Sequence, residues 1–319
     1  MQNLKMGIAL GSDSLNAEHL RYAHPTIAVH MCTLFHSIIL HGYVPKDFGS
    51  GIVIPLIKNR TGDVNNANNY RDITLIPAIS KLFLLVLIEI CEQSLSCDEL
   101  QFGFKKGVGC SEAIFALRST IDYLKDRGSS ISVAALDISK AFDTVNHYKL
   151  YESLINLGIP KWILNDIINW YCKLSVVVRW KTALSNIVYV SSDVRQGSSL
   201  SPALFTLFAN MFIVKMRELN AGCCVNGTFV GCRMYADDLV VLSASVSGLR
   251  SLLDCCYHVS ITLTLKFNCL KSSCSVFGSA SKLNISKMQL GSVSIERTSS
   301  LFDISCRQLY RTHISASDS

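Results

Sequence analysis

Three carboxylates stand where apolar segments end or turn. Asp137 closes the apolar run of Ala-Leu-Asp-Ile-Ser-Lys-Ala-Phe-Asp, and Asp237 and Asp238 lie inside Met-Tyr-Ala-Asp-Asp-Leu-Val-Val-Leu. Burying an unpaired carboxylate is costly, so apolar strands do not usually carry one. If the two segments are neighbours in one sheet, the three acids converge and their repulsion calls for a cation. Mg²⁺ takes oxygen ligands and is ordinarily held by few carboxylates plus substrate phosphates. Two such ions about 3.5–4 Å apart stabilise both the attacking and the leaving oxygen of a phosphoryl transfer. Adjacent strand residues point to opposite faces, so Asp237 and Asp238 become equivalent ligands only if the turn re-aims one of them. The competing reading is a solvated hairpin with ordinary turn acids.

The elements that must hold these acids follow from periodicity. Residues 130–138 read as a buried strand ending in a carboxylate. Residues 228–234 and 239–242 flank a tight acidic turn, which makes a hairpin. A long helix is expected over 201–219, opening on Ser201-Pro202, where proline is tolerated in the first turn. Other helices are expected over 26–40 (stopping at Gly42), 79–91, 111–124 (capped by Ser111), 147–156, 160–171 and 248–258. Residues 52–54 read as a short strand broken by Pro55, 174–180 and 187–190 as a strand pair, and 274–277 as a strand. The first 25 residues read as loop, and periodicity fades from Ser292. Strands and helices alternate without a strict βαβ repeat. That fits an α+β core, an antiparallel sheet with helices on one face.

The flanking residues carry a resemblance. Tyr235-Ala236-Asp237-Asp238 is similar to motif C of reverse transcriptases, and Leu136 through Val145 to motif A of their non-LTR and group II intron class. Arg195-Gln196-Gly197-Ser198-Ser199-Leu200-Ser201-Pro202 resembles motif B, and Leu265-Lys266-Phe267-Asn268 with Lys271-Ser272 resembles motif D. Asn69 through Leu75 and Gln101 through Gly107 resemble the fingers motifs. Gly11-Ser12-Asp13 through His24-Pro25 resembles the N-terminal extension of LINE-like enzymes. All occur in the family's order over residues 7–278.

The resemblance implies a right-hand polymerase: N-terminal extension and fingers over 1–128, palm over 129–290 with a fingers segment at 172–192, and an irregular tail over 291–319 with the thumb missing or truncated. It implies RNA-directed DNA synthesis with two Mg²⁺ ions (Mn²⁺ a substitute), dNTPs, an RNA template and a DNA primer. Asp137, Asp237 and Asp238 match the metal-binding triad, with the Ile138 carbonyl as a further ligand. Phe142 matches the aromatic that excludes a 2′-hydroxyl; core packing is its alternative. Gln196 and Gly197 match the turn under the incoming nucleotide. Lys58 and Arg71 match basic residues that meet the triphosphate, with a solvated charge as the alternative for Lys58. Lys271 matches the lysine that protonates pyrophosphate, with Lys266 as rival. Tyr235 packs beside the primer end, or is a plain hairpin aromatic.

The chain departs from the pattern at three places. Asp72 replaces the usual proline and stands beside Arg71, where it could pair with it. Thr264 replaces a glycine before motif D. The aliphatic-glycine hairpin that grips the primer is not legible over 295–302, although 301–305 vaguely resembles a later segment. No endonuclease precedes and no thumb follows, so the chain reads as part of a longer retrotransposon polyprotein. A nucleic-acid-binding remnant without turnover and an intron-type maturase are the alternatives; Phe142 argues against a viral RNA polymerase.

Composition sets outer bounds. Of 319 residues 49% are hydrophobic and 17% charged, enough for a sizeable core and too few charges for a disordered chain. Thirty basic against 24 acidic residues give +6, which permits a nucleic-acid partner. The 13 cysteines show no zinc-binding spacing. Cys255-Cys256 with His258 comes nearest, and buried core thiols are its alternative. Free thiols and no secretory signal fit an intracellular protein. The most apolar stretch, 82–90, falls far short of the roughly 20 residues of a membrane span.

Overall fold

A computed structural model describes residues 1, 4–7, 9–278 and 287–298. Its helices are α1 (Ala17–Arg21), α2 (Thr26–His41), α3 (Ala78–Ile90), α4 (Cys110–Asp126), α5 (His147–Asn156), α6 (Lys161–Tyr171), α7 (Ser201–Glu218) and α8 (Val246–Thr262). Its strands are β1 (Ser50–Ile57), β2 (Tyr70–Leu75), β3 (Ile131–Asp137), β4 (Ser175–Trp180), β5 (Ala183–Leu184), β6 (Val188–Tyr189), β7 (Cys224–Val225), β8 (Thr228–Phe229), β9 (Cys232–Tyr235), β10 (Asp238–Ser243), β11 (Ser273–Phe277), β12 (Met288–Leu290) and β13 (Val293–Arg297). The chain divides into two compact units. One comprises 1–96 and 146–204; the other comprises 97–145 and the described residues from 205 on.

The first unit is built on a sheet of order β2-β1-β4-β5, with β6 also on β4. β1 and β2 are antiparallel, β1 and β4 parallel. The strand expected to break at Pro55 runs on to Ile57. Lys58 donates its amide to the Asn69 carbonyl, and counting back by twos turns the Pro55 nitrogen away from β2, toward the β4 side. There the last paired residue is Val53, opposite Val178, so the missing N–H costs no ladder bond. Phe83 packs against Phe35 and Phe48 at ring distances of 5.3 and 5.8 Å. The indole of Trp170 donates to the Phe48 carbonyl at 3.0 Å. A short helix, α1, forms where loop was expected, because the Asn16 side chain accepts from the His19 amide and caps it.

The second unit carries the sheet β12-β13-β11-β3-β10-β9. Its pairs are antiparallel except β11 with β13. β3 is central and apolar up to its last residue. Ile131, Val133 and Ala135 share one face with Val240 and Leu242 and pack against Leu117 and Ile121 of α4. Each buried Val, Leu or Ile among them contributes about 1.5–3 kcal/mol. The other face is covered too, since Ala134, Leu136, Leu239 and Val241 are buried, whereas helices were expected on one face. α8 packs against β10 and β3. α4 begins one residue before the expected cap: the Glu112 carboxylate accepts from the Gly109 amide at 2.8 Å. Past Ser292, where irregular chain was expected, β13 forms and pairs with β12 around a turn at Gly291. The remainder of the primer-grip segment, from 299, and the tail lie outside the described residues. No helix of the described residues is long and apolar enough to cross a membrane.

Candidate active site

Asp137 and Asp238 are direct partners across the antiparallel β3–β10 pair, so their side chains leave the same face of the sheet. By strand alternation this is the face that α4 covers further along, at Ala135 and Val240. Tyr235 pairs with Asp238, leaving Ala236 and Asp237 as a two-residue turn. Ala236 has a φ of +55°. The turn takes Asp237 out of the strand alternation and leaves it near enough to Asp238 to raise that carboxyl's pKa. Asp238 is 3% exposed. Burial, then Asp237, then Asp137 push its carboxyl pKa well above the ordinary value, and Lys271 pulls the other way. The Lys271 ammonium stands 3.7 Å from Asp137 Oδ2.

These donors fit a hard divalent cation. They are all oxygens, and Asp238 Oδ2 is buried with no hydrogen-bond partner among the described residues. Among the described residues no three His, Cys, Asp or Glu side chains form a ready cage for an ion. Mg²⁺ does not require one, since water and substrate phosphates ordinarily complete its shell. The backbone adds a further donor. Ser139 donates to the Lys266 carbonyl at 2.7 Å and Asn268 to the Asp137 carbonyl at 2.8 Å. These bonds flank the Ile138–Phe267 bridge and turn the Ile138 carbonyl away from the motif D segment, toward the β10 edge.

The same unit holds the other residues expected near the reacting atoms. Phe142 opens a 3₁₀ turn after β3. Its ring stacks on Phe205 at 4.8 Å and 23° and meets Phe104 edge-on at 6.0 Å. Lys271 ends the turn after motif D, where its ammonium meets Asp137; Lys266 is exposed as well, and its carbonyl accepts from the Ser139 amide. Thr264, where a glycine was expected, takes a φ of +59° itself, with its hydroxyl on the Leu263 carbonyl. Tyr235 is half-buried, which raises its phenol pKa. Cys256, one of the two thiols nearest a metal-ligand pattern, is buried against Met216, with 3.7 Å between the sulfurs.

The first unit gathers Lys58, Arg71, Gln196 and Gly197. Arg71 lies opposite Leu56, two residues from Lys58, so both cations project from one face of the hairpin. Lys58 Nζ reaches the Asn68 carbonyl at 3.3 Å. Asp72 neighbours Arg71 on β2 and therefore points to the opposite face, so the strand geometry does not offer the pairing that the sequence suggested. The Gln196 carbonyl accepts from the Thr74 amide at 2.8 Å. Gly197, at φ +108°, lies so close that a Cβ would sit 2.5 Å from the Thr74 carbonyl oxygen.

Two residues were missed as site supports. Arg195 is buried and donates to the carbonyls of Ser50, Ser175 and Gly49, tying the motif B turn to β1 and β4. Gln101 is buried and hydrogen-bonded to the Ala236 turn. In sequence each stands within a motif without a role of its own, and the bonds that bury them run mostly to partners more than 100 residues away.

The chain belongs to the reverse transcriptase (RNA-dependent DNA polymerase) family, whose pattern matches residues 57–294. The proteins it is similar to include polyproteins and polymerases of LINE-like, non-LTR elements. The polyprotein of element R2DM of Drosophila melanogaster is 26% identical over 209 residues, covering 66% of this chain and 20% of that protein. The RNA-directed DNA polymerase of the mobile element jockey of Drosophila funebris is 26% identical over 252 residues, covering 77% and 26%. The chain thus spans about a quarter or less of these two relatives. In structure it is similar to apo telomerase from Candida tropicalis, with a TM-score of 0.56 at 13% identity, covering 85% of this chain and 58% of that one. This likeness fits fingers and palm. The family generally uses divalent metal ions.

Proposed function

We propose that the chain extends a DNA primer on an RNA template with dNTPs. The observation that carries this reading is the Asp137–Asp238 pair with Asp237 in the adjoining turn, on the sheet of a family member. The primer 3′-hydroxyl attacks the α-phosphate of the dNTP, the bond to the β-phosphate breaks, and pyrophosphate leaves. Asp137, Asp237, Asp238 and the Ile138 carbonyl would hold two Mg²⁺ ions (or Mn²⁺), which when bound neutralise charge on the phosphate oxygens and activate the 3′-hydroxyl.

The other residues position and discriminate. Lys58 and Arg71 bind the triphosphate, Lys as a point charge and Arg through its fork of donors. Gln196 and Gly197 form the floor under the nucleotide. Phe142, fixed between two rings, lies against the sugar and leaves no room for a 2′-oxygen. Lys271 delivers a proton to the departing pyrophosphate, a role supported by its approach to Asp137. Tyr235 packs beside the primer end. Template and primer are held largely through their phosphates, so binding weakens steeply with salt.

The test is primer extension on an RNA template with dNTPs and Mg²⁺, beside the Asp237→Ala/Asp238→Ala double variant. Synthesis by the parent alone supports the reading. Equal binding of template–primer by both, with synthesis by neither, replaces it with a binding protein that has no turnover.

A further inference from the structure

Gln101 lies in a segment that adds a short parallel pairing to the outer edge of β9. Met234 donates to the Leu100 carbonyl at 2.8 Å, and Phe102 donates to the Met234 carbonyl at 2.7 Å. From there the Gln101 side chain, 0% exposed, reaches the turn beyond β9. Its Oε1 accepts from the amides of Ala236 at 3.1 Å and Gly103 at 2.9 Å, and its Nε2 donates to the Ala236 carbonyl at 3.4 Å. Two N–H donors facing one atom fix that atom as the oxygen. One side-chain amide therefore engages both the N–H and the C=O of Ala236.

Ala236 needs such a grip. Its φ of +55° is disfavoured for a residue with a Cβ, and the next two residues are Asp237 and Asp238. Gly103 completes the fit, because a Cβ there would fall on the Ala236 amide nitrogen. The contact is a buried tether between two stretches 135 residues apart, and Gln is the side chain that can accept and donate at that reach without adding a charge beside the carboxylates.

We propose that Gln101 is a positioning residue for the Asp237-Asp238 turn: by holding the Ala236 peptide it sets the aim of the two carboxylates at a divalent cation. This rests on the reading of those carboxylates as the metal-holding set. Gln101→Met keeps the volume and removes all three bonds. Gln101→Glu keeps an acceptor, loses the donor and adds a charge. Gly103→Ala leaves Gln101 in place and displaces the Ala236 amide.

The experiment measures Mn²⁺ affinity by electron paramagnetic resonance, thermal unfolding, and single-turnover dNTP incorporation, on the whole chain. Loss of a residue that orients metal ligands costs about 10–100-fold in metal affinity. Gln101→Met and Gly103→Ala should each weaken Mn²⁺ by about tenfold or more and slow incorporation, with the KM for dNTP little changed and unfolding still cooperative. Parent-like Mn²⁺ affinity and rate in a folded Gln101→Met protein would overturn the proposal. If that variant does not fold, Gly103→Ala and Gln101→Glu decide by the same readouts. A parent that binds Mn²⁺ through Asp237 but incorporates no nucleotide removes the polymerase reading alone. The Mn²⁺ comparison then still decides on Gln101, a tenfold loss supporting it and parity overturning it.

Discussion

Asp238 faces Asp137 directly across two antiparallel strands, and the Lys271 ammonium approaches Asp137 at 3.7 Å. Two carboxylates on one face of a sheet, one of them buried, repel each other unless a cation lies between or beside them. Mg²⁺ should therefore raise the melting temperature of the parent in a concentration-dependent way, following the linkage of ligand binding to folding. Asp238→Asn should melt higher than the parent without metal and lose the response to Mg²⁺. Differential scanning calorimetry with and without metal reads both, and an unchanged Mg²⁺ response in the variant removes Asp238 from the ligand set.

Phe142 is held by Phe205 and Phe104, so its position is fixed before any sugar arrives. Phe142→Val should admit ribonucleotides, lowering discrimination by about 10–200-fold, the range open to changes of apolar bulk in a pocket. It should also cost about 0.5–1.5 kcal/mol of ring-pair energy. Incorporation of dNTP against rNTP measures the first and urea unfolding the second. Unaltered discrimination in a folded variant would make Phe142 a core residue only.

Lys271 is 55% exposed at its side chain, so its ion pair contributes little to stability, about 0–1 kcal/mol. Lys271→Ala should unfold like the parent, bind dNTP like the parent and slow the chemical step by about 10²–10⁴-fold. If Lys266→Ala alone does this in rapid-quench kinetics, the proton comes from Lys266.

Thr264 adopts a left-handed backbone at φ +59°, which costs a residue with a Cβ about 1–2 kcal/mol. Thr264→Gly should raise stability by up to about 1 kcal/mol, since glycine gives back part of the gain as unfolded-chain entropy. A lower denaturation midpoint in the variant would mean that the Thr264 hydroxyl bond to Leu263 outweighs the strain.

Asp166 on α6 is 0% exposed, with neither oxygen hydrogen-bonded among the described residues. Burial raises its pKa to about 7. The folded protein then holds more protons than the unfolded chain between the ordinary value of 3.8 and about 7. Stability should fall as pH rises through that window, with the loss complete above it. Asp166→Asn should flatten the profile over that interval and leave the variant more stable than the parent at pH 8, which thermal melts at several pH values would read. A parallel pH profile in both proteins would show that Asp166 is solvated.

The acids, the strand ends that carry them and the long helix after motif B were legible because each is local. An apolar run ending in aspartate, a short loop between two apolar strands and a Ser-Pro helix start all show within ten residues. What stayed hidden is long-range or depends on backbone shape. The strand through Pro55 looked broken because a proline forbids a bond only on the side where a neighbour is paired. The β12–β13 hairpin was missed because its two strands are only three and five residues long, too short for their alternation to stand out. Thr264 raised doubt about a turn that forms anyway at some strain. Gln101 and Arg195 were unreadable as supports because their partners are remote in sequence.

The pairing of β3 with β10 also orders events in time. β3 is an apolar strand at the centre of its sheet, yet both of its neighbours, β10 and β11, come about a hundred residues or more later in the chain. At about 5–20 residues per second of synthesis, it emerges with two unpaired edges and waits several seconds for either. During that wait its backbone can pair with any other extended chain nearby. Slow synthesis or crowding among nascent chains should therefore drive this protein into aggregates before the carboxylates ever meet.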